Sequence, residues 1–434
     1  MVEDGDGDGD GDSGGGAAGR RLVRRFYLFQ ATRSVGFVSP VFALFVLRDL
    51  TFVQYGALSS LYAALVVASE VPTGYVGDRW GRRASMAGGV GCTALSLAGF
   101  VVADSFAGYA ALYAVWAFAA TFNSGSSDAW LYETLDEHLD GSEFTRVRGR
   151  AGAVERWTSV ATMLVGGVLY GVDPRLPFAA SVALSLPGFA VLWTLPDSRG
   201  DAAAASGDRP SALEALGVAR SSFAEPGLRG AVPYVALLLA AVAAAGSYVQ
   251  PIGVDLFREL LPASLSAVPE PSLLGAMYAA FTGVAAVAAG SAGAVERRLG
   301  VRGALLVVPA VPAVLMLLPP VALAAALPMF VARTAASPVV VPIAYGYVND
   351  RVAAGDARDG DSTGSAGADA ARATTLSAVS MVQGAVRTPL AFVAGVVAGA
   401  YGPTAAPALL GGVVLVAVAA AAMWNPVAGD GAAS

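Results

Sequence analysis

Long apolar runs alternate with short polar segments along the whole of this 434-residue chain. An α-helix rises about 1.5 Å per residue, so about 20 apolar residues cross the ~30 Å hydrocarbon layer of a bilayer. Because lipid offers no partner to exposed backbone N–H and C=O groups, each run of this length is predicted to be a helix. Twelve spans are expected, at residues 26–47, 54–77, 84–103, 107–131, 151–171, 175–195, 231–253, 272–295, 303–320, 325–348, 374–398 and 403–424.

The composition agrees with a membrane protein, since 56% of the residues are hydrophobic and only 14% are charged. The N-terminal segment 1–20 is acidic and glycine-rich, the reverse of a secretory signal, and is predicted to form a disordered tail. A polar linker, 197–229, divides the spans into two groups of six, and Ser211 and Glu214 in it have capping-box spacing, which predicts a short amphipathic helix. The predicted units are therefore the tail 1–20, a bundle 21–196, the linker, a bundle 230–425 and a tail 426–434.

The basic residues predict the orientation of the spans. All 27 are arginines, because the chain has no lysine. They gather at residues 20–25, 79–83, 146–150, 199–229, 297–302 and 351–372, whereas the alternate loops carry only Arg48, Arg175 and Arg258. Positively charged loops stay on the cytoplasmic side, so both termini are predicted to be cytoplasmic in a multi-pass protein of the cell membrane.

The densest charged cluster lies between the second and third spans. Residues 74–83 read G-Y-V-G-D-R-W-G-R-R and follow the pattern G-x-x-x-D-R-x-G-R-R. A partial copy of the motif lies at 293–302, between spans 8 and 9, where the aspartate is replaced by Arg297. The fixed positions of the motif are Gly74, Asp78, Arg79, Gly81, Arg82 and Arg83, and the retained positions of the copy are Gly293, Arg298, Gly300 and Arg302.

This motif, placed between two membrane-length segments, resembles the signature loop of the major facilitator superfamily of secondary transporters. The resemblance implies an all-α integral membrane fold, with twelve transmembrane helices in two pseudo-symmetric six-helix bundles. In that family the aspartate caps the start of span 11, and the arginine at the Arg82 position pairs with a carboxylate on span 4. Asp128 is the expected carboxylate here, and Glu133 is the second choice. The motif would then act as a gating latch between the halves; the alternative is loop basicity that only fixes the topology.

Charged side chains lie inside several predicted spans: Arg33, Glu70, Arg333 and Arg387, the last on one helix face with Gln383, and also Asp128, Glu155 and Arg156. Each costs about 2.5–3.5 kcal/mol on insertion scales, so each requires a reason. One interpretation is structural pairing, of Arg33 with Glu70 and of Asp128 with Arg156 or Arg82. The other is a substrate or ion site in a central cavity, with Glu70 as the candidate proton carrier.

The sequence favours a transporter over an enzyme. His138 and Cys92 are single residues of their types, and nucleotide-binding and nucleophile motifs are lacking, so neither a cofactor, a metal nor a nucleic acid is expected. We predict a monomeric secondary transporter of a small solute, coupled to a proton or sodium ion, with the arginines favouring an anionic or amphiphilic substrate. The alternatives are a multidrug-type proton antiporter, although residues 165–171 lack the exporters' proline, and a non-transporting membrane sensor or scaffold. Gln250 and Pro251 are expected to unwind span 7.

Overall fold

The computed structural model describes residues 12–123, 126–138, 143–196, 230–262, 267–358 and 365–424. Side chains are described for these residues except 12–18, 71–72, 74–80, 123, 126, 129, 136–138, 352–358 and 365–378. The predicted linker helix at 211–223 and the tail 426–434 lie outside the described residues. The regular structure within the described ranges is helical, as the sequence predicted.

Fourteen α-helices and one short 3₁₀ turn are described. In chain order the α-helices are α1 (Asp12–Thr32), α2 (Phe42–Val46), α3 (Phe52–Trp80), α4 (Arg82–Phe100), α5 (Phe106–Asn123), α6 (Ser126–His138), α7 (Phe144–Val172), α8 (Leu176–Trp193), α9 (Ala231–Gly246), α10 (Val249–Leu260), α11 (Glu270–Met316), α12 (Ala326–Arg358), α13 (Ser365–Tyr401) and α14 (Ala405–Trp424).

Each predicted span coincides with one of these helices, with part of one, or with a pair. Six of the described helices are long and apolar enough to cross a membrane, or seven when the bent pair α9 and α10 counts as one. Helix α11 has 47 residues, which is roughly 70 Å and twice the hydrocarbon thickness, and it is broken at Gly300. It therefore contains the predicted spans 8 and 9, and the whole set is consistent with twelve spans.

Span 1 departs from the prediction because it is not one helix. Helix α1 begins at Asp12, inside the stretch predicted to be disordered, and ends at Thr32. Residues 33–41 are irregular, so Arg33 follows the helix instead of lying well inside it. Hydroxyl groups replace the helical bonds: Ser34 Oγ accepts from the Gly36 N–H (3.1 Å) and lies 3.0 Å from Ser159 Oγ. Irregular backbone at membrane depth is tolerated where protein groups satisfy it in this way.

Span 7 is bent by 48° between α9 and α10. The break lies at Ser247 and Tyr248, one turn before the residues expected to unwind it. Pro251 explains the position, since proline has no N–H and its ring clashes with the carbonyl four residues earlier, here that of Ser247. Gln250 and Pro251 are themselves helical and buried.

In the described part of the chain the halves meet mainly at two helix pairs, α3 with α13 and α7 with α11, and α10 also contacts α2. Glycines allow the backbones to touch. A Cβ atom at Gly56 would lie 2.6 Å from Gly395 Cα, and one at Gly275 would lie 2.5 Å from the Met163 carbonyl oxygen. Small residues at helix interfaces in membranes permit such close approach.

The turns after α3 and within α11 have the same unusual backbone. Gly81 has φ 89° and ψ 161°, and Gly300 has φ 67° and ψ 167°. Positive φ with extended ψ is a region that essentially only glycine adopts. The two glycines occupy the same position in the motif and in its partial copy, so the backbone follows the sequence repeat. The side of the bundle that carries both turns is called the Gly81 side below, and the other the opposite side.

Candidate functional site

The motif after α3 holds charged side chains on the Gly81 side. Gly81 ends α3 and lets α4 begin at Arg82. Arg82 Nε donates to Glu133 Oε1 of α6 over 3.4 Å, and both side chains are about three-quarters buried. Arg83 donates to the Leu195 carbonyl oxygen (3.1 Å) and lies over the Trp193 ring. The motif thereby ties the start of α4 to α6 and to the end of α8.

The first-choice partner of Arg82 was wrong, because Asp128 is bound elsewhere. Asp128 Oδ2 accepts from Arg148 Nη2 (2.6 Å) and Nε (2.9 Å), a pair that is about half exposed. This hydrogen bond raises the pKa of the Arg148 guanidinium. The second choice, Glu133, contacts Arg82. Neither Arg156 nor Arg82 pairs with Asp128, because Arg148, in the second turn of α7, occupies this carboxylate.

The remaining motif contacts lie outside the described side chains. Helix α3 includes Gly74, Asp78 and Arg79, but their side chains are not described. The start of α13, where Asp78 was expected to cap, is described for its backbone only. The capping of span 11 therefore stays a prediction.

Arg33 lies in a polar cavity within the N-terminal half, not against Glu70. Its Nη1 donates to Gln30 Oε1 (2.8 Å), and its guanidinium lies 5.8 Å from the Phe29 ring centroid. Glu155 and Asp128 are its electrostatic partners. The cavity has a volume of about 210 Å³. Its other lining residues include Thr32, Ser34, Thr93, Trp116, Ser181 and Ser185.

Arg333 projects from α12 toward the bend of span 7. Nη1 donates to the Val242 carbonyl oxygen at 3.4 Å, while Nε is buried without a hydrogen-bond partner among the described residues. Tyr278 of α11 is its electrostatic partner. A Cβ atom at Gly246 would lie 3.2 Å from Nη1, so this glycine leaves room for the guanidinium.

Arg387 projects from α13 toward the N-terminal half. Its Nε is also buried without a hydrogen-bond partner among the described residues. Tyr55 and Tyr62 of α3 and Tyr113 of α5 are within its electrostatic range. Gln383, one turn earlier on α13, is half-buried. A guanidinium of one half thus lies against tyrosines of the other.

Glu70 lies half-buried in α3, three residues before Thr73. The Thr73 hydroxyl donates to the Ser69 carbonyl oxygen at 2.7 Å and lies 3.3 Å from that of Glu70. These bonds fix the local helix and leave the proposed proton-carrier role of Glu70 as a prediction.

Gln250 has a role that the sequence did not indicate. Its Oε1 accepts from the N–H groups of Ala43 (2.7 Å) and Leu44 (3.3 Å), and its Nε2 donates to the Ser39 carbonyl oxygen (2.8 Å). Helix α2 has no side-chain cap at Val41, so its first N–H groups need such an acceptor. Gln250 of the C-terminal half therefore caps a helix of the N-terminal half. The sequence signal for such a role was a single glutamine within an otherwise apolar span.

The described contacts between the halves run from the opposite side to the middle of the helices. Gln250 and the Gly56–Gly395 approach lie near the opposite side. Nearer the middle, Ser60 Oγ donates to the Thr388 carbonyl oxygen over 2.7 Å, and Thr282 lies 3.8 Å from Met163 Sδ. The halves are thus closed together on the opposite side.

Metal-binding chemistry finds no support in the described part of the chain, where no three His, Cys, Asp or Glu side chains converge. The polar groups described above are instead guanidinium, phenol and amide groups, which can bind a solute through hydrogen bonds and charge.

Comparison with known proteins places these features in context. The sequence profile described as Major Facilitator Superfamily matches residues 27–368. An uncharacterised MFS-type transporter, YxaM, of Bacillus subtilis (strain 168) is 26% identical over 168 residues, which are 37% of this chain and 40% of that relative's length.

Solved transporters share the fold. The crystal structure of the nucleoside transporter NupG matches with a TM-score of 0.71 at 14% identity, covering 93% of this chain and 98% of that one. A D-xylose-proton symporter matches with a TM-score of 0.63 at 12% identity, covering 95% of this chain and 98% of that one. At sequence identities this low, the similarity shows a shared fold and gives no information about the substrate.

Proposed function

The chain belongs to the Major Facilitator Superfamily, and we propose that it moves a small anionic or amphiphilic solute through a cavity between its two halves. The family is one of transporters, which supports secondary transport across the membrane as the coarser part of the proposal. The class of substrate, the coupling to a proton or sodium ion, and the residues that bind are its finer part. Alternating exposure of one site to the two sides is the mechanism that two opposed bundles support.

The observation that carries the proposal is the state of two guanidinium groups in the C-terminal half. Arg333 and Arg387 each have a buried Nε with no hydrogen-bond partner among the described residues. A buried N–H of a charged group without a hydrogen-bond partner is costly, and guanidinium is always protonated in proteins. Carboxylate and phosphate are the groups that match its planar fork. An incoming anion would therefore satisfy both arginines.

The aromatic surroundings favour a solute with an apolar or planar part. Tyr62 and Tyr113, which lie near Arg387, meet edge to face with ring centroids 6.3 Å apart. Trp116 lies 6.5 Å from Tyr113. Rings of this kind offer apolar contact area as well as hydroxyl donors. An amphiphilic anion would use both properties.

We further propose that the Gly81 side faces the cytoplasm, because the arginine-rich loops lie there. The opposite side, where Gln250 and the Gly56–Gly395 approach join the halves, would then face outward. Reporter fusions at Gly200 and Ser266 test this orientation. The first should report inside and the second outside; a report from the same side for both would contradict the predicted topology.

The coupling ion is proposed to be a proton, with Glu70 as carrier, and sodium is the alternative. Glu70 is half-buried within α3, and a carboxylate taken out of water protonates more readily. Uptake of a metabolite pool into proteoliposomes, with and without a pH gradient, identifies the solute and the coupling together. Uptake that ignores the pH gradient but follows sodium would exclude Glu70 as a proton carrier.

The binding role of the arginines is tested on purified protein with a solute identified by that uptake. We expect Arg333→Gln and Arg387→Gln each to weaken binding by roughly 10- to 150-fold, since a hydrogen bond to a charged group contributes about 1.5–3 kcal/mol. The substrate-induced thermal shift measures the affinity. Lysine at either position should retain part of the affinity, because it keeps the positive charge but lacks the planar fork.

The matched control is Arg298→Gln, which removes an exposed arginine near Gly300. It should leave affinity unchanged. If both buried-arginine variants keep wild-type affinity and lose only stability, the arginines are structural and the anionic substrate must be abandoned.

A further inference from the structure

Helix α1 carries arginines beyond the membrane-spanning part of the chain. It begins at Asp12, well before the first predicted span at 26–47, and Arg20 and Arg24 on it are exposed. Residues at i, i+4 and i+7 share one helix face, so Arg20, Arg24 and Tyr27 form a single stripe. The sequence explained these arginines only as markers of orientation.

A second helix completes this stripe. Helix α7 packs against α1. Arg150 lies against the Tyr27 hydroxyl, and Arg146 is within electrostatic range of it. Both α7 arginines are exposed. Two arginines of α7 thus approach the tyrosine that lies on the same face of α1 as Arg20 and Arg24.

Acidic side chains neutralise little of this cluster in the described part of the chain. Glu143 forms an ion pair with Arg146. Asp128 of α6 is engaged by Arg148. Arg20, Arg24 and Arg150 have no carboxylate contact among the described residues, so the cluster keeps an excess of positive charge.

The depth of the cluster matches the lipid headgroups. Arg24 lies two residues, or about 3 Å, outside the start of span 1, and Arg20 lies about 9 Å outside it. Arg150 immediately precedes the predicted start of span 5. The headgroup layer is about 5–8 Å thick on each face of the bilayer. Long arginine side chains can also reach toward it from nearby positions.

We propose that Arg20, Arg24, Arg146 and Arg150, around Tyr27, bind the phosphate of an anionic phospholipid in the leaflet on the Gly81 side. Guanidinium groups bind phosphate oxygens bidentately, and the tyrosine hydroxyl is a further donor at headgroup level. Clusters of four or more basic residues beside a membrane span are typical of anionic-lipid recognition. The site adds a lipid ligand to the proposed transport function and does not depend on the transported solute.

The test compares purified protein in nanodiscs of phosphatidylcholine alone with nanodiscs of equal parts phosphatidylcholine and phosphatidylglycerol. The site variant is Arg24→Gln with Arg150→Gln. The control is Arg297→Gln with Arg298→Gln, which removes the same charge from two exposed arginines on the same side. Phosphatidylglycerol retained in native mass spectra and the melting temperature in each lipid are measured.

Wild type and control should retain phosphatidylglycerol and melt at a higher temperature in the anionic nanodiscs. The site variant should lose roughly tenfold or more in retention, together with that lipid-dependent gain. Retention of phosphatidylglycerol by Arg24→Lys with Arg150→Lys should lie between that of the wild type and that of the site variant. Lysine keeps the charge but lacks the planar guanidinium fork.

Three results would overturn the site. Equal loss in the control variant would mean diffuse charge attraction. A melting temperature lowered equally in both lipids, with retention unchanged, would mean that the arginines serve only contacts within the chain. The same stabilisation by inorganic phosphate in detergent would assign the site to a soluble anion.

Discussion

The turns at Gly81 and Gly300 share a backbone and one anchoring contact but differ in their charges. Arg83 donates to the Leu195 carbonyl oxygen just beyond α8, and Arg302 donates to the Ala422 carbonyl oxygen at the end of α14, both over 3.1 Å. In each half, therefore, the arginine two residues after the glycine binds the end of the last helix of its own bundle. Cations are favoured at helix C-termini, so this contact suits any six-helix half.

The ion pair belongs to the first half alone. Arg82 contacts Glu133, whereas the equivalent position of the second half is Val301. Asp78 is replaced there by Arg297. The second turn keeps the glycine and the arginine contact with a helix C-terminus. It lacks the aspartate that could bind the other bundle. The glycine and the carbonyl contact are thus architectural, and the acid and its neighbouring arginine are the functional candidates.

The largest effect is expected from the feature that both turns share. Gly81→Ala and Gly300→Ala should each cost about 1–3 kcal/mol, because alanine is strained at this φ and ψ. Nothing lies within 4 Å of a Cβ atom at Gly300, so the cost there is conformational and not steric. Melting temperatures in detergent measure it. Gly412→Ala, at an α14 glycine with equal space and helical backbone, is the control. An unchanged melting temperature for Gly300→Ala would contradict the proposed equivalence of the two turns.

The second effect should separate the two halves. If Asp78 caps α13, Asp78→Asn should shift the conformational balance by about 0.3–2 kcal/mol and reduce transport with little change in protein abundance. Arg297→Asn, at the equivalent position, should leave transport intact. Uptake per folded protein is the measurement. Unchanged transport by Asp78→Ala would reduce the motif to a topological signal.

The smallest effect tests the partner assignment. Arg82→Gln and Glu133→Gln should be coupled by about 0.2–1 kcal/mol in a double-mutant cycle on stability, the range for partly exposed ion pairs. Arg82→Gln with Asp128→Asn should be additive, because Asp128 binds Arg148. Coupling to Asp128 instead of Glu133 would mean that the Arg82–Glu133 pair is replaced in solution.

The sequence predicted those features that depend on residues close together along the chain. Apolar length located the spans, and the motif repeat identified Gly81 and Gly300 as equivalent. The family resemblance also implied a carboxylate partner for Arg82 and offered Asp128 and Glu133, although in the wrong order. Choosing between Asp128 and Glu133 requires the approach of Arg148 from another helix, which a spacing within one span cannot supply.

The broken span 1 was missed for a similar reason. Residues 35–47 are apolar enough to continue a helix, and the hydroxyls of Ser159 and Thr162 that support the break are far away along the chain. Gly36 and Pro40 were the local signals against a continuous helix. The same holds for Gln250, whose polarity was visible but whose partners lie in the other half.

The Gln250 contact has a kinetic consequence. Its amide makes three hydrogen bonds across the boundary between the halves, to the backbone of Ser39, Ala43 and Leu44. When the halves part on that side, the first N–H groups of α2 lose their acceptor and water must take its place. The step therefore couples hydration of a broken helix to domain separation. The amide is one of the contacts that would lengthen the time the protein spends with that face shut.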